Sequence, residues 1–210
     1  MSGVREDNML TCFESSTNVA FQKILRFFLE ENSIILDITY GRGLSWNNLN
    51  GGYNLIKVDK RKTSKEVIQM NFNEYLTKKE NESVDGVYFD PPYYFIEKIK
   101  QFDIRKQIFN NQEEVFWTEN EFKEALLNLK KNIPRILKQR GIFIAKLMDG
   151  YIGKKYYPNA FKLFDALQKV TEPIGIFICP IRREDLVSDL IRTNHIYYLV
   201  FQKKEKENEL

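Results

Sequence analysis

Asp90-Pro91-Pro92-Tyr93 places a carboxylate, a stiff turn and an aromatic ring together, directly after the apolar run Val84 to Phe89. That run alternates and then becomes wholly apolar, the pattern of a buried strand. Neither proline has an N–H to donate, so the ladder stops there and the following backbone is held rigidly. In open α/β sheets the carboxyl ends of strands are where ligands bind. A carboxylate and the Pro91 carbonyl at such an end can each accept one N–H of an exocyclic amino group. This pulls a poorly nucleophilic aromatic amine towards tetrahedral geometry and favours the charge that develops when it takes a methyl group. The Tyr93 ring offers a face for stacking on the base that carries the amine. The plain alternative is a strand ending in a Pro-Pro turn with an exposed aspartate.

The elements that would position this turn read as strands alternating with helices. Ser33 to Ile38 is nearly all apolar and predicts a central parallel strand. It runs into Asp37-Ile38-Thr39-Tyr40-Gly41-Arg42-Gly43, where two glycines allow a tight turn and close approach of the backbone to a ligand. Trp46 stands where the dinucleotide fingerprint has its third glycine, which argues against a pyrophosphate cradle and so against NAD or FAD. Tyr53 to Val58 predicts the second strand, with Asp59 at its end, placed to accept both hydroxyls of a ribose. A surface aspartate beside Lys60 and Arg61 is the alternative. Val67 to Met70 predicts a short third strand. Asn71 and Phe72 then either flank an adenine or serve as a helix N-cap and a core ring.

The rest of the chain supplies helices, two more candidate loops and three more strands. Ser16 or Thr17 caps a helix expected to reach about Glu31. Residues 95–117 interleave Lys98, Lys100, Arg105 and Lys106 with Phe102, Ile104 and Phe109, which suits nucleic-acid contact, a solvated amphipathic helix being the alternative. A helix is expected from Thr118 or Glu119 to about Gln139, with Pro134 inside it and Lys138 to Gly141 as its end signal. Gly141 to Leu147 predicts the fifth strand, with Lys146 and Asp149 on the same rim as Asp90. Asp149 to Pro158 is a second candidate substrate loop. A helix over Asn159 to Val170 and strands over Pro173 to Cys179 and His195 to Gln202 complete the pattern; His195 is read as structural. Lys203 to Leu210 is expected to be a frayed tail.

The 210 residues fit one domain, 1–210, and 43% hydrophobic content with 16 Phe and 11 Tyr can fill a core. A net charge of +3 neither demands nor excludes a nucleic-acid partner. Cys12 and Cys179 have no metal spacing and read as reduced thiols of a cytoplasmic protein. A single histidine leaves little for a zinc site or a Ser-His triad, so no metal is expected. No signal peptide or membrane span is evident.

The order of Asp37-x-Thr39-Tyr40-Gly41-x-Gly43, Asp59 and Asp90-Pro91-Pro92-Tyr93 resembles the S-adenosylmethionine-dependent amino-methyltransferases of DNA, which make N6-methyladenine or N4-methylcytosine. Lys146-Leu147-Met148-Asp149, and Arg192 to His195 leading into Tyr197 to Phe201, are similar to elements of small bacterial and viral enzymes of this type. The resemblance implies a Rossmann-like α/β fold. Its sheet would be seven-stranded and mostly parallel, with a terminal antiparallel hairpin and helices on both faces. It implies S-adenosylmethionine as cofactor, held by Asp37, Thr39, Tyr40, Gly41 and Gly43 at the methionine end, by Asp59 at the ribose, and by Asn71 and Phe72 at the adenine. Asp90, Pro91, Pro92 and Tyr93 would be catalytic, with Asp90 also lining the cofactor. Tyr94, Lys146 and Asp149 would meet substrate. Phe13 corresponds to a cofactor-touching Phe-x-Gly element, although Glu14 and Ser15 follow it here. The implied partner is DNA with a flipped-out base; an RNA methyltransferase and a catalytically silent cofactor-binding subunit are the alternatives. With no separate recognition domain in the chain, specificity falls to the loops at 94–117, 149–158 and 180–194.

Overall fold

Alternation of side chains along four neighbouring strands divides the apolar residues into two layers. The computed structural model describes residues 11–13, 16–47, 49, 52–93, 118–152, 155–181 and 195–205. The elements are α1 (Thr17–Phe28), β1 (Ile34–Asp37), a 3-10 turn (Leu44–Trp46), β2 (Asn54–Asp59), β3 (Ile68–Gln69), α2 (Phe72–Lys78) and β4 (Val84–Phe89). After them come α3 (Glu119–Ile136), β5 (Leu137–Leu147), β6 (Gly150–Ile152), β7 (Lys155–Tyr157), α4 (Asn159–Leu167), β8 (Thr171–Pro180) and β9 (His195–Lys203). Leu36, Val87, Phe89, Phe143, Ala145, Leu147, Leu199 and Phe201 face α2, α3 and α4. Their sequence neighbours Ile35, Tyr88, Ile142, Ile144, Tyr198 and Val200 face α1. Period-2 alternation thus feeds two cores, one on each face of one sheet.

The large sheet has seven strands in the order β3-β2-β1-β4-β5-β9-β8. β3, β2, β1, β4 and β5 run parallel, and β9 is antiparallel to both β5 and β8. This is the mostly parallel α/β sheet, closed by an antiparallel pair, that the sequence implied. Reading outward from β1, the chain first goes to β2 and β3 and then returns to β4 on the other side. The order reverses between β1 and β4, and the crevice at their carboxyl ends is the ligand position of such sheets.

Several boundaries differ from the expected ones. α1 stops at Phe28 rather than Glu31, because Leu29 is already extended and donates its N–H to Leu25 O, while Asn32 takes a left-handed turn at φ 65°. α3 stops at Ile136, and Lys138 to Arg140, expected as the helix end, belong to β5. Tertiary contacts override the local signal there. Lys138 pairs with Asp85 at 2.9 Å, and the carbonyls of Leu137 and Arg140 accept from Lys203 Nζ and Gln202 Nε2. The strand is irregular at this point, with Arg140 at φ 61° and a register shift against β4. Lys203 is likewise not tail but the buried last residue of β9, paired with Glu82 at 2.9 Å. α4 ends at Leu167 rather than Val170, and β8 runs from Thr171 to Pro180. The stretch 149–158 is mostly a small hairpin, β6 against β7.

Arg135 closes the α2–α3 face. Its guanidinium donates to the carbonyls of Leu76 and Lys79 at the end of α2, at 2.6 Å each, which satisfies acceptors that the helix leaves open. Ser83 and Glu82, leading into β4, donate in turn to the last carbonyls of α3. The start of β4 is therefore held by α3, which Arg135 ties to α2.

Candidate active site

The carboxyl ends of β1, β2 and β4 deliver Asp37, Asp59 and Asp90 into one crevice. Asp37 is fully buried. Its two oxygens accept from the backbone N–H of Thr39 at 2.9 Å and from the Trp46 indole N–H at 2.6 Å. Burial pushes its carboxyl up to about 7; those two hydrogen bonds work against the rise, and the charges of Asp90 and Asp59 add to it. Three acidic groups are thus near enough to feel one another. Asp59 accepts from Gly41 N at 2.8 Å and from Arg61 N at 2.8 Å, and Arg61 Nε lies 3.4 Å away.

The loop between β1 and the 3-10 turn needs its glycines. Gly41 and Gly43 have φ of 55° and 70°, left-handed values that L side chains rarely adopt. A Cβ on Gly43 would also run into the Tyr40 ring. Tyr40 in turn lies 5.5 Å from Lys57 Nζ. A Cβ on Gly41 would meet only the Thr39 carbonyl at 3.8 Å and the Arg61 guanidinium at 3.9 Å, ordinary contacts, so its positive φ is what calls for glycine there.

Asp90 sits where β4 ends and is held from several directions. Its backbone N–H donates to Thr39 Oγ1 at 2.7 Å, which ties the β4 end to the β1 loop. One carboxylate oxygen accepts from the Tyr93 hydroxyl at 2.6 Å. The other accepts from Lys146 Nζ at 2.8 Å, with the hydroxyls of Ser45 and Tyr88 each at 3.4 Å. Ser45 and Tyr88 are also 3.0 Å apart. The Tyr88 hydroxyl is held well above its ordinary pKa by burial and then by the Asp90 charge, so it stays a neutral donor. Lys146 comes from β5, next to β4 in the sheet, and its aliphatic stem and ammonium are mostly covered. The Tyr93 backbone carbonyl accepts from Asn159 Nδ2 at 3.1 Å, so the first residue of α4 anchors the Pro-Pro turn.

The structure gathers some of the expected residues and separates others. Asp37, Thr39, Tyr40, Gly41, Gly43, Asp59, Asp90 and Lys146 gather at the carboxyl ends of neighbouring strands, and Pro91, Pro92 and Tyr93 follow Asp90 directly. Lys146, expected to meet substrate, makes its contact with Asp90. Asn71 uses its side chain to cap α2, accepting from Asn73 N at 2.9 Å, and Phe72 packs in the core 5.7 Å from Phe89. Asp149 is buried and accepts from Ala160 N and the Tyr156 hydroxyl, both at 2.7 Å, so it serves the α4 start rather than an open face. Phe13 is buried 6.1 Å from Phe177 of β8, which stands four places from β1 in the sheet. It packs in the core layer that also holds Tyr88 and Trp46. Tyr94, the segment to 117 and the loop over 182–194 lie outside the described residues.

Ser45, Trp46, Tyr88 and Asn159 were missed as site residues. Tyr88 was legible, since it precedes Asp90 by two in a strand and so shares its face. Trp46 had been noted only as a missing glycine. It packs edge-on against Phe21 at 5.1 Å and Tyr88 at 5.8 Å while its N–H holds Asp37. Among the described residues no group of three or more His, Cys, Asp or Glu side chains is placed to hold a metal ion. No helix among them is long and apolar enough to cross a membrane.

No family model and no curated protein matches the sequence. Solved structures do. An rRNA methylase from Streptococcus thermophilus is similar over 91% of this chain and 99% of its own, with a TM-score of 0.53 at 16% identity. A toxoflavin-precursor N1-methyltransferase from Burkholderia thailandensis, crystallised with S-adenosylhomocysteine, covers 91% and 80% with a TM-score of 0.53 at 13% identity. The chain has the Rossmann-like methyltransferase fold. It spans about half (52%) of a Thermus thermophilus protein provisionally named a DNA modification methylase, with 66% of this chain covered at 16% identity. That likeness has a TM-score of only 0.44 and carries no argument here.

Proposed function

We propose that the protein transfers a methyl group from S-adenosylmethionine to an exocyclic amino nitrogen of a base in DNA, with N6 of adenine the first expected target and N4 of cytosine the second. The observation that carries this reading is the Asp90 carboxylate at the β4 end, held by Tyr93 and Lys146 beside the Asp37–Asp59 crevice.

The crevice fits the cofactor on its chemistry. Asp37, Asp59 and Asp90 repel one another enough to help hold Asp37 near 7, and a ligand with a sulfonium and an ammonium charge relieves that repulsion. Asp37 and the Gly41–Gly43 backbone would hold the methionine end, and Asp59 the ribose hydroxyls, through the acceptor sites that Gly41 N and Arg61 N leave open. When bound, S-adenosylmethionine supplies the methyl group, the S–CH3 bond breaking with its electron pair left on sulfur as the N–CH3 bond forms.

The chain's own residues prepare the nitrogen. An ionised carboxylate has about four acceptor sites. On Asp90 the Tyr93 hydroxyl and Lys146 take two of them at close range, which leaves room for one N–H of the amine. The Pro91 carbonyl accepts the other. Tyr93, tethered through its hydroxyl, is held next to the carboxylate for stacking on the base. The methylated nitrogen is acidic and gives up its surplus proton without a dedicated base. A base in a duplex reaches this crevice by leaving the stack.

The test offers labelled S-adenosylmethionine with unmethylated genomic DNA and total RNA side by side, and identifies the product nucleosides by mass. N6-methyladenine or N4-methylcytosine from DNA supports the proposal. Label in RNA alone overturns the DNA assignment, and no label despite measurable cofactor binding overturns the reaction.

A further inference from the structure

Beyond the amine clamp lies a second group of rings that the fold keeps at the surface. Tyr151 and Tyr156 pair across the β6–β7 hairpin with ring centres 5.0 Å apart. Phe161, on the first turn of α4, meets Tyr197 of β9 edge-on at 6.0 Å, and His195 meets the same Tyr197 at 4.8 Å. Phe161 is 59% exposed and Tyr156 42%, whereas the core rings Phe143 and Phe201 are wholly buried. Phe161 and Tyr156 are therefore not filling an interior, while Tyr197 rests partly buried on the core layer beneath α4.

A buried carboxylate binds this surface together. Asp149 accepts from the Tyr156 hydroxyl of the hairpin and from Ala160 N of α4, and its charge, after burial, holds the Tyr197 hydroxyl above its ordinary pKa. One aspartate thus faces all three elements that carry the rings. The surface is also tied to the clamp, because Asn159, beside Ala160, donates to the Tyr93 carbonyl. Tyr197 pairs with Leu147 in β5, one residue beyond Lys146, and Tyr93 and Tyr197 pack on the same core layer. Lys162 follows Phe161 on α4 and lies 4.0 Å from Glu119, whereas Lys155 lies over the Tyr157 ring on the other face of the hairpin.

We infer that Tyr151, Tyr156, Phe161, Tyr197 and His195 form a stacking surface for unpaired nucleobases next to the target base. Exposed rings are a recurring means of gripping single-stranded nucleic acid, since every base has a face to stack. The rings' continuity with the Tyr93 turn makes the flanking nucleotides of the same strand their occupant. This inference rests on the nucleic-acid reading above. It also gives Asp149 a positioning role in place of direct substrate contact.

The test uses a fluorescent oligothymidylate, which has no exocyclic amino group and cannot satisfy the amine clamp. An abasic strand of the same length serves as control. Phe161→Ala and Tyr151→Ala are each expected to weaken oligothymidylate binding by about 5- to 150-fold, the range for removing one stacked ring. Binding of the abasic strand is expected to stay within about twofold. Unchanged affinity in both alanine variants, or an equal loss on the abasic strand, overturns the stacking surface. Cofactor binding is followed in the same samples. Ring-dependent oligothymidylate binding by a protein that methylates nothing would sink the reaction and keep the surface; methyl transfer with unchanged affinities in the variants would do the reverse.

Discussion

Asp90 and Asp149 stand at the same edge of the sheet, just past the adjacent parallel strands β4 and β5, and each accepts a hydrogen bond from a tyrosine hydroxyl. Their surroundings separate them. Asp149 is 2% exposed and spends its other oxygen on a backbone N–H that opens α4. The Asp90 side chain is 21% exposed and, among the described residues, receives side-chain donors alone, Tyr93, Lys146, Ser45 and Tyr88. Backbone partners fix a carboxylate into the scaffold. Side-chain partners can yield to a substrate that brings its own N–H. On the proposed function, Asp90 is the carboxylate able to meet the amine, and Asp149 the one that builds the neighbouring surface.

The largest expected effect comes from removing the reacting member. Asp90→Ala should lower single-turnover methyl transfer by about 10²- to 10³-fold, the usual loss for one preorganised electrostatic group, while the protein stays folded by circular dichroism. Asp149→Ala should do the opposite. Leaving Ala160 N and the Tyr156 hydroxyl without their acceptor costs about 1–3 kcal/mol and lowers the melting temperature by roughly 2–10 °C.

The sheet was legible because its signal is local. Runs such as Val84 to Phe89 carry both the period and the β-branched and aromatic residues of a strand, and Asp37, Asp59 and Asp90 each follow such a run. The switch from α3 to β5 was not legible. Lys138 to Arg140 read as a helix end, and what draws them into the sheet are Asp85, Gln202 and Lys203, distant in sequence. Asp149 shows a related limit: sequence places it on the same rim as Asp90 but does not reveal that Ala160 N and Tyr156 donate to it. Trp46 was seen as a departure from a motif, and only the fold brings its N–H to Asp37.

Smaller effects sharpen the contrast. Tyr93→Ala, which removes both ring and tether, should lower transfer by about 5- to 150-fold, on the scale of one lost base stack. Tyr93→Phe keeps the ring and should recover most of that rate. Its residual deficit measures what the hydroxyl tether contributes.

Asp37 supplies a pH signature. With the crevice empty its carboxyl is held near 7, so at pH 6 most molecules carry it protonated. A cationic ligand favours the ionised form, so binding releases a proton. S-adenosylmethionine affinity measured by calorimetry should therefore rise with pH, by at most about tenfold per unit below 7, and flatten above about pH 8. Asp37→Asn should weaken binding and remove that slope. An affinity in the parent protein that is flat from pH 6 to 8 would mean that Asp37 does not face the bound cation.

The most direct measurement sets Asp90→Asn beside Asp149→Asn in single-turnover transfer to DNA, with cofactor affinity and melting temperature recorded for both. Asp90→Asn is expected to bind S-adenosylmethionine and melt close to the parent protein, yet to transfer its methyl group at least about 10²-fold more slowly. Asp149→Asn is expected to melt lower and to keep most of its rate at a temperature where it is folded. Near-parental transfer by Asp90→Asn would contradict the account.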